Sequence, residues 1–267
     1  MGNAAPAATA ERSALLKIET VGAVMTVGLN RPAKRNALND GIILAIQDCF
    51  SHLPESVGAV VIHGIGDHFS SGLDLSELTE HDATEGLRHS QMWHRVFDRI
   101  QYSRVPVIAA LRGAVIGGGL ELACAAHIRV AEPSAYFALP EGQRGIFVGG
   151  GGSVRLPRLI GVARMTDMML TGRVYSATEG SAYGFSQYLT ETGGALPKAM
   201  ELAERVAANA PLTNFAVLQA LPMIAEANPQ TGLLMESLMA TVAQSDKEAK
   251  RRIRDFLDRK TAKVKPA

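Results

Sequence analysis

GAVIGGGLELACAAH, residues Gly113 to His127, sets three consecutive glycines between two apolar runs and follows them with a carboxylate, Glu121. Glycine weakens any regular element it sits in. A glycine triplet between a strand-like and a helix-like run therefore marks a place where something must approach the backbone closely. A helix N-terminus exposes free N–H groups and carries partial positive charge. The stretch thus offers donors to a developing negative charge, with a carboxylate one short turn away. That is the layout of an oxyanion hole beside an acid/base group.

Working outward, VPVIAAL leads into this stretch as a buried strand, and IRVAEPSAYFAL leaves it as a strand broken at Pro133. Upstream, LLKIET and AVMTVGL flank Val21-Gly22 and read as a hairpin. In the polar loop NRPAKRNALND, Asn39 or Asp40 can cap the helix GIILAIQDCFSHL. AVVIHG reads as another buried strand. ATEGLRHSQMWHRVFDRI has helical spacing, with Leu87, Met92, Val96 and Ile100 near one face. Strand, helix, strand recurs, which predicts an α/β fold with parallel crossovers. After about residue 195 the pattern turns purely helical, in four segments separated by Pro211, Pro229 and Ser245-Asp246.

The balance of 47% hydrophobic and 20% charged residues predicts a full core over the 267-residue chain. A net charge of +1 gives no global field toward nucleic acid or anionic membranes. Cys49 and Cys124 have no CxxC spacing and read as small buried hydrophobes in a reducing compartment. No apolar run reaches the about 18 residues of a membrane span. The opening MGNAAPAATAERS lacks the apolar core of a secretory signal, and Pro6 stands where myristoylation needs Ser or Thr. The expectation is a cytoplasmic protein. No GxSxG, Walker A or HExxH pattern occurs, and no GxGxxG follows a strand. His89 and His94 are five apart, not four, so no metal site is expected. The basic stretch Lys247 to Lys265 is interleaved with Glu248, Asp255 and Asp258, which reads as a solvated helix face and not a nucleic-acid surface.

Two further glycine-rich turns follow strands. HFSSGLDLSEL turns at Gly72. FALPEGQRGIFVGGGGSVRLPRLIG carries Glu141 and then Gly149 to Gly152 ahead of a helix-like run. Three such turns, two with glutamates, point to one site.

FSSGLDLSEL, PVIAALRGAVIGGGLELACAAHIRVA and ALPEGQRGIFVGGGGSVRLPRLIG resemble the three signature segments of the crotonase (enoyl-CoA hydratase/isomerase) superfamily. LNRPAKRNALN and FLDRK match its flanking pieces, so the likeness runs in unbroken order over residues 14–262. It implies a spiral of ββα units with the acyl-CoA site over residues 13–200, behind a loose tail at 1–12. A helical trimerisation region would occupy 201–267. It implies acyl-CoA substrates, no cofactor beyond the CoA of the substrate itself, and a homotrimer or a hexamer built as a dimer of trimers. By position, the oxyanion hole falls to the N–H groups of Leu73 and Gly118, with Gly117 beside them. Glu121 and Glu141 flank the acyl carbons, and Gly149 helps hold the water.

For CoA itself the resemblance implies Lys34 and Arg35 at the phosphates and backbone groups of Ser70, Gly72 and Asp74 near the adenine. Lys260 would reach a neighbouring subunit's CoA. The sequence departs from the usual pattern at Ser76, where typical hydratases carry lysine, and at Ala249, usually glycine. The acyl wall would come from Thr79–Trp93 with Phe147 and Val148. Retention of both glutamates favours hydration of a 2-enoyl-CoA to a 3-hydroxyacyl-CoA. It leaves open Δ3-Δ2 isomerisation, dehydration of a 3-hydroxyacyl-CoA, cleavage of an aryl hydroxyacyl-CoA, and a non-catalytic binding role.

Overall fold

The computed structural model describes residues 14–77 and 82–258. β1 (Leu16–Val21) and β2 (Val24–Leu29) form the expected antiparallel hairpin. It turns at Gly22, whose φ of 58° suits glycine. β2 pairs in parallel with β3 (Ala59–Gly64), β3 with β4 (Val107–Leu111), β4 with β6 (Ile128–Ala131), and β6 with β9 (Tyr188–Leu189). The resulting sheet runs β1-β2-β3-β4-β6-β9. Every residue of β4 is buried, which is why it reads as an unbroken apolar run.

Helix α1 (Asp40–Ser51) is capped by Asn39, whose side chain accepts from the Ile42 N–H at 3.1 Å. Helix α2 (Ala83–Gln101) opens on a capping box made by Asp82 and Glu85. Its buried face is Trp93, Val96, Phe97 and Ile100. Leu87, expected on that face, is exposed, and Met92 is only partly buried. The early turns of α2 border a cavity through Gly86, His89 and Ser90, so the core-facing stripe starts later than the spacing implied.

The break at Pro133 has a larger consequence than a kink. β6 stays in the six-stranded sheet, while β7 (Tyr136–Ala138) joins β5 (Ala114–Ile116) and β8 (Tyr175–Ser176) in a separate three-stranded sheet. The two sheets are stitched by the segment that follows β3. Ser70 N–H donates to the Ala114 carbonyl at 2.9 Å, and Ile116 N–H donates to the Ser70 carbonyl at 3.1 Å.

Helix α3 (Gly118–Ala125) is buried along its whole length. Its C-terminal end is closed by the buried Arg129 guanidinium, which donates to the carbonyls of Ala126 at 2.6 Å and Phe185 at 3.0 Å. Helices α4 (Gly152–Ile160), α5 (Val162–Thr171) and α6 (Ala177–Tyr183) follow. Helix α7 (Ala195–Ala207) lays Ala195, Ala199, Leu202 and Ala203 on the sheet against Val61, Ile108 and Val130.

The chain divides into two compact units, the first ending at Ala207 and the second beginning at Ala208. Residues 201–207, grouped with the helical region in the sequence, thus belong to a helix on the sheet. The second unit is helical throughout its elements. They are α8 (Pro211–Phe215), a π-helical turn (Ala216–Ala220), α9 (Leu221–Glu226), α10 (Pro229–Ser245) and α11 (Lys247–Leu257). Among the described residues, no helix is long and apolar enough to cross a membrane.

Candidate active site

A cavity of about 400 Å³ lies within the first unit. Leu73, Gly118, Glu121, Glu141 and Gly149 all line it, as do Gly72 and Gly117. Three segments far apart in the chain thus converge as their glycine content predicted.

The Leu73 and Gly118 amides are neighbours. A Cβ built on Gly118 would lie 3.5 Å from the Leu73 nitrogen, and one on Gly72 would lie 3.2 Å from the Gly118 nitrogen. Gly118 is the first residue of α3, so its N–H has no partner within the helix. The residues around Leu73 are tied down on both sides: Leu38 N–H donates to the Gly72 carbonyl at 2.7 Å, and Asp74 N–H to the Leu38 carbonyl at 2.8 Å. Neither the Leu73 nor the Gly118 N–H donates to an acceptor among the described residues. Gly72 and Gly117 adopt positive φ (87° and 51°), and side chains there would strike the Ile116 carbonyl and Glu141 Oε1 at 2.7 and 2.5 Å. Trp93 closes one side, its Cζ3 lying 2.9 Å from the Cβ that Gly118 lacks.

The two glutamates sit in contrasting surroundings. Glu121 Oε1 accepts from Gly150 N–H at 2.9 Å and from Gly152 N–H at 2.7 Å. Burial raises its pKa, opposed by those N–H bonds and by the charge of Arg155. Glu141, one turn before Gly145, is buried, and its Oε2 has no hydrogen-bond partner among the described residues. Burial, with the Glu121 charge adding, raises its pKa from 4.5 to about 7. One carboxylate is thus held by backbone donors, and the other is left near neutrality with a free oxygen.

The glycine run has a purpose the sequence did not disclose. Gly149 lines the cavity, and Gly150 and Gly152 direct N–H groups at Glu121, with the Gly149 backbone also favouring its charged form. Helix α2 holds this loop in two places. Ser90 Oγ donates to the Gly149 carbonyl at 2.6 Å. The buried Arg155 donates to the Gly150 carbonyl at 3.0 Å while anchoring on Gln101 and Asp98, each at 2.6 Å. Sequence reasoning missed the roles of Arg155 and Ser90, because Gln101 and Asp98, which anchor Arg155, and Gly149, which Ser90 holds, lie more than fifty residues away.

The expected CoA residues separate into two groups. Asp74 is buried and binds Arg31 and Lys34, each at 2.9 Å, and Ser76 Oγ at 2.6 Å. Burial alone would raise the Asp74 pKa, but the Ser76, Lys34 and Arg31 bonds outweigh it and hold the carboxyl well below the usual range. Ser76, where a lysine was the usual pattern, also accepts from Lys34 at 3.0 Å. Ser70 is buried, its hydroxyl donating to the Asn36 carbonyl at 2.8 Å and accepting from Gly72 N–H at 3.2 Å. Its side chain braces the turn. Arg35 is exposed, in the left-handed region at φ 50°. Lys260, Thr79 and residues 1–12 lie outside the described residues. Among the described residues, no group of three His, Cys, Asp or Glu side chains could hold a metal ion.

A family described as enoyl-CoA hydratase/isomerase matches residues 19–266. The chain is 32% identical over 246 residues to the 2,3-dehydroadipyl-CoA hydratase of Escherichia coli K12, covering 91% of this chain and 95% of that protein. It is 32% identical over 223 residues to the short-chain-enoyl-CoA hydratase of Clostridium acetobutylicum, covering 82% and 85%. A crystal structure from Rhodopseudomonas palustris CGA009, provisionally assigned as an enoyl-CoA hydratase, is 79% identical with a TM-score of 0.91, covering 95% of this chain and 98% of that one. The enoyl-CoA hydratase of Bacillus anthracis is 28% identical with a TM-score of 0.86, covering 92% and 96%.

Proposed function

Because the chain belongs to the enoyl-CoA hydratase/isomerase family of the crotonase superfamily, we propose that it adds water, in the syn sense, across the C2=C3 bond of a 2-enoyl-CoA thioester. The observation that carries this reading is the contrast between the two carboxyl groups in one cavity. Hydration needs a base for the water proton and an acid for the α-carbon. Glu121, bonded to two N–H groups, is the residue assigned to the water. Glu141, with a pKa of about 7 and an unpartnered oxygen, is assigned to the α-carbon.

In this scheme the thioester oxygen sits between the Leu73 and Gly118 N–H groups. Water oxygen bonds to C3 as Glu121 takes its proton. The C=C electron pair moves toward the thioester, where the two N–H groups stabilise the enolate oxygen. Glu141 then delivers its proton to C2. Exchange through solvent returns Glu121 and Glu141 to their starting states. The CoA phosphates are assigned to Lys34 and Arg35, and no group beyond the chain and its thioester substrate is required.

We assign oligomerisation to the second unit. On α10, Leu233, Leu234 and Leu238 are each at least 60% exposed and Val242 is 44% exposed. Apolar surface of this kind supports a homotrimer, or a hexamer built from two trimers.

The direct test is loss of the conjugated enoyl absorbance on crotonyl-CoA, longer enoyl-CoAs and cinnamoyl-CoA. Turnover with formation of the 3-hydroxy ester supports hydration. Migration of a Δ3 double bond without water incorporation would replace it with isomerisation. Binding of CoA esters with no turnover of any would leave a binding protein.

A further inference from the structure

The peptide that joins Gly149 to Gly150 has no side chain on either side to fix its plane. None fits at Gly150, where a Cβ would lie 2.9 Å from Phe97 Cε2 and 3.2 Å from Glu121 Oε2. A peptide flanked by two glycines turns over at little conformational cost. Its direction is therefore set by what holds its two polar ends. Its N–H donates to Glu121 Oε1 at 2.9 Å. Its carbonyl accepts from Ser90 Oγ, on α2, at 2.6 Å. His94 Nε2 lies 3.3 Å from the same Oγ. A hydroxyl has one hydrogen to give, and with that hydrogen on Gly149 the Oγ is the acceptor toward His94.

The peptide is trans and planar, so its C=O and N–H point opposite ways. Pinning the Gly149 oxygen to α2 thus aims the Gly150 N–H at Glu121. The same bond polarises the peptide and strengthens its N–H as a donor. Turned over, the peptide would present its carbonyl oxygen to Glu121, and only a protonated carboxyl can donate to a carbonyl. We propose that Ser90 is a positioning residue that acts on Glu121 through this peptide and keeps Glu121 in its ionised, proton-accepting form. The catalytic consequence rests on the hydratase reading, in which Glu121 takes the water proton, but the effect on ionisation can be measured without turnover.

Ser90→Ala removes the hydroxyl and leaves α2 a better helix former. The charges acting on Glu121 stay in place, Arg155 on α4 and Glu141 across the cavity. Cys124, on α3 itself, is kept neutral by burial, which pushes its thiol up to about 11. Carboxyl carbon NMR, with the Glu121 signal identified by its loss in Glu121→Gln, should show Glu121 titrating about one pH unit higher in Ser90→Ala, part of the effect of a hydrogen bond to a charged group. The acid limb of kcat/KM should move up with it. At a pH on that limb, Ser90→Ala should lower kcat/KM about tenfold alone and change nothing beside Glu121→Gln. An unmoved or lowered Glu121 titration would overturn the proposal. So would an equal loss in both backgrounds, since Ser90 would then act elsewhere. A raised titration in a protein that hydrates no 2-enoyl-CoA would support the positioning role and overturn the hydratase reading alone.

Discussion

Glu121 and Glu141 start from the same intrinsic acidity and are made into different reagents by their neighbours. Glu121→Gln and Glu141→Gln should each lower kcat by about 10²–10⁴-fold with little change in KM, because the thioester is held by backbone groups. Steady-state kinetics on the best enoyl-CoA checks this. The double variant should lose less than the product, since both groups serve one water. An intact Glu121→Gln beside a dead Glu141→Gln would point to a one-carboxylate isomerase. The acid role also fixes a pH sign. Glu141 must be protonated to deliver to C2, so kcat should fall as pH rises through about 7. A rise through the same pH would make it the base.

Stability should carry the same signature. A carboxyl raised from 4.5 unfolded to about 7 folded binds more protons when folded between those values. Its contribution is therefore present below 4.5 and lost as pH climbs to 7. The shift corresponds to about 3 kcal/mol at most for this buried group. Glu141→Gln carries no such penalty. Thermal melts should show the variant gaining on the wild type between pH 5 and pH 8; a constant gap would mean that Glu141 titrates near its ordinary value.

Among the elements, α3 and the loop before α4 carry the most. Proline is tolerated in the first turn of a helix but has no N–H. Gly118→Pro should therefore remove an oxyanion donor, costing about 10²–10³ in kcat. Gly118→Ala controls for crowding against Trp93, and near-normal kcat in a folded proline variant would take the role from Gly118. Arg155→Gln should loosen the Gly150–Gly152 donors and lower kcat by up to about 100-fold, the scale of a small misplacement. Its circular dichroism should remain native, and unaltered kinetics would show that Ser90 suffices to hold the loop.

At this scale the sequence was most readable where one local rule governs. The Gly22 hairpin, the Asn39 cap and the fully apolar β4 each follow from nearest neighbours. The face of α2 was misjudged at Leu87 because the cavity, a tertiary feature, displaces the core from its early turns. Glycine-rich turns announced themselves as close approaches. What approaches Gly150 and Gly152 is the Glu121 side chain, and only distant pairing could reveal that. Arg155 in SVRLPRLIG reads as an ordinary helix cation until Asp98 and Gln101 arrive beside it.

For the whole molecule, the exposed leucines of α10 predict association. Light scattering at micromolar concentration should give a trimer or hexamer mass, and a monomer would refute the assignment. The separation of the two sheets at Pro133 was not readable, since one strand-like run supplies both. Yet that separation bears on the chemistry. Leu73 lies on the segment leaving β3 of the larger sheet, while Gly118 follows β5 of the smaller one, and Ser70 stitches the two through Ala114 and Ile116. The gap between the two donors is thus a vernier on inter-sheet slip. Turnover should therefore follow that slip, since a misplacement of about 1 Å can cost about 100-fold in rate.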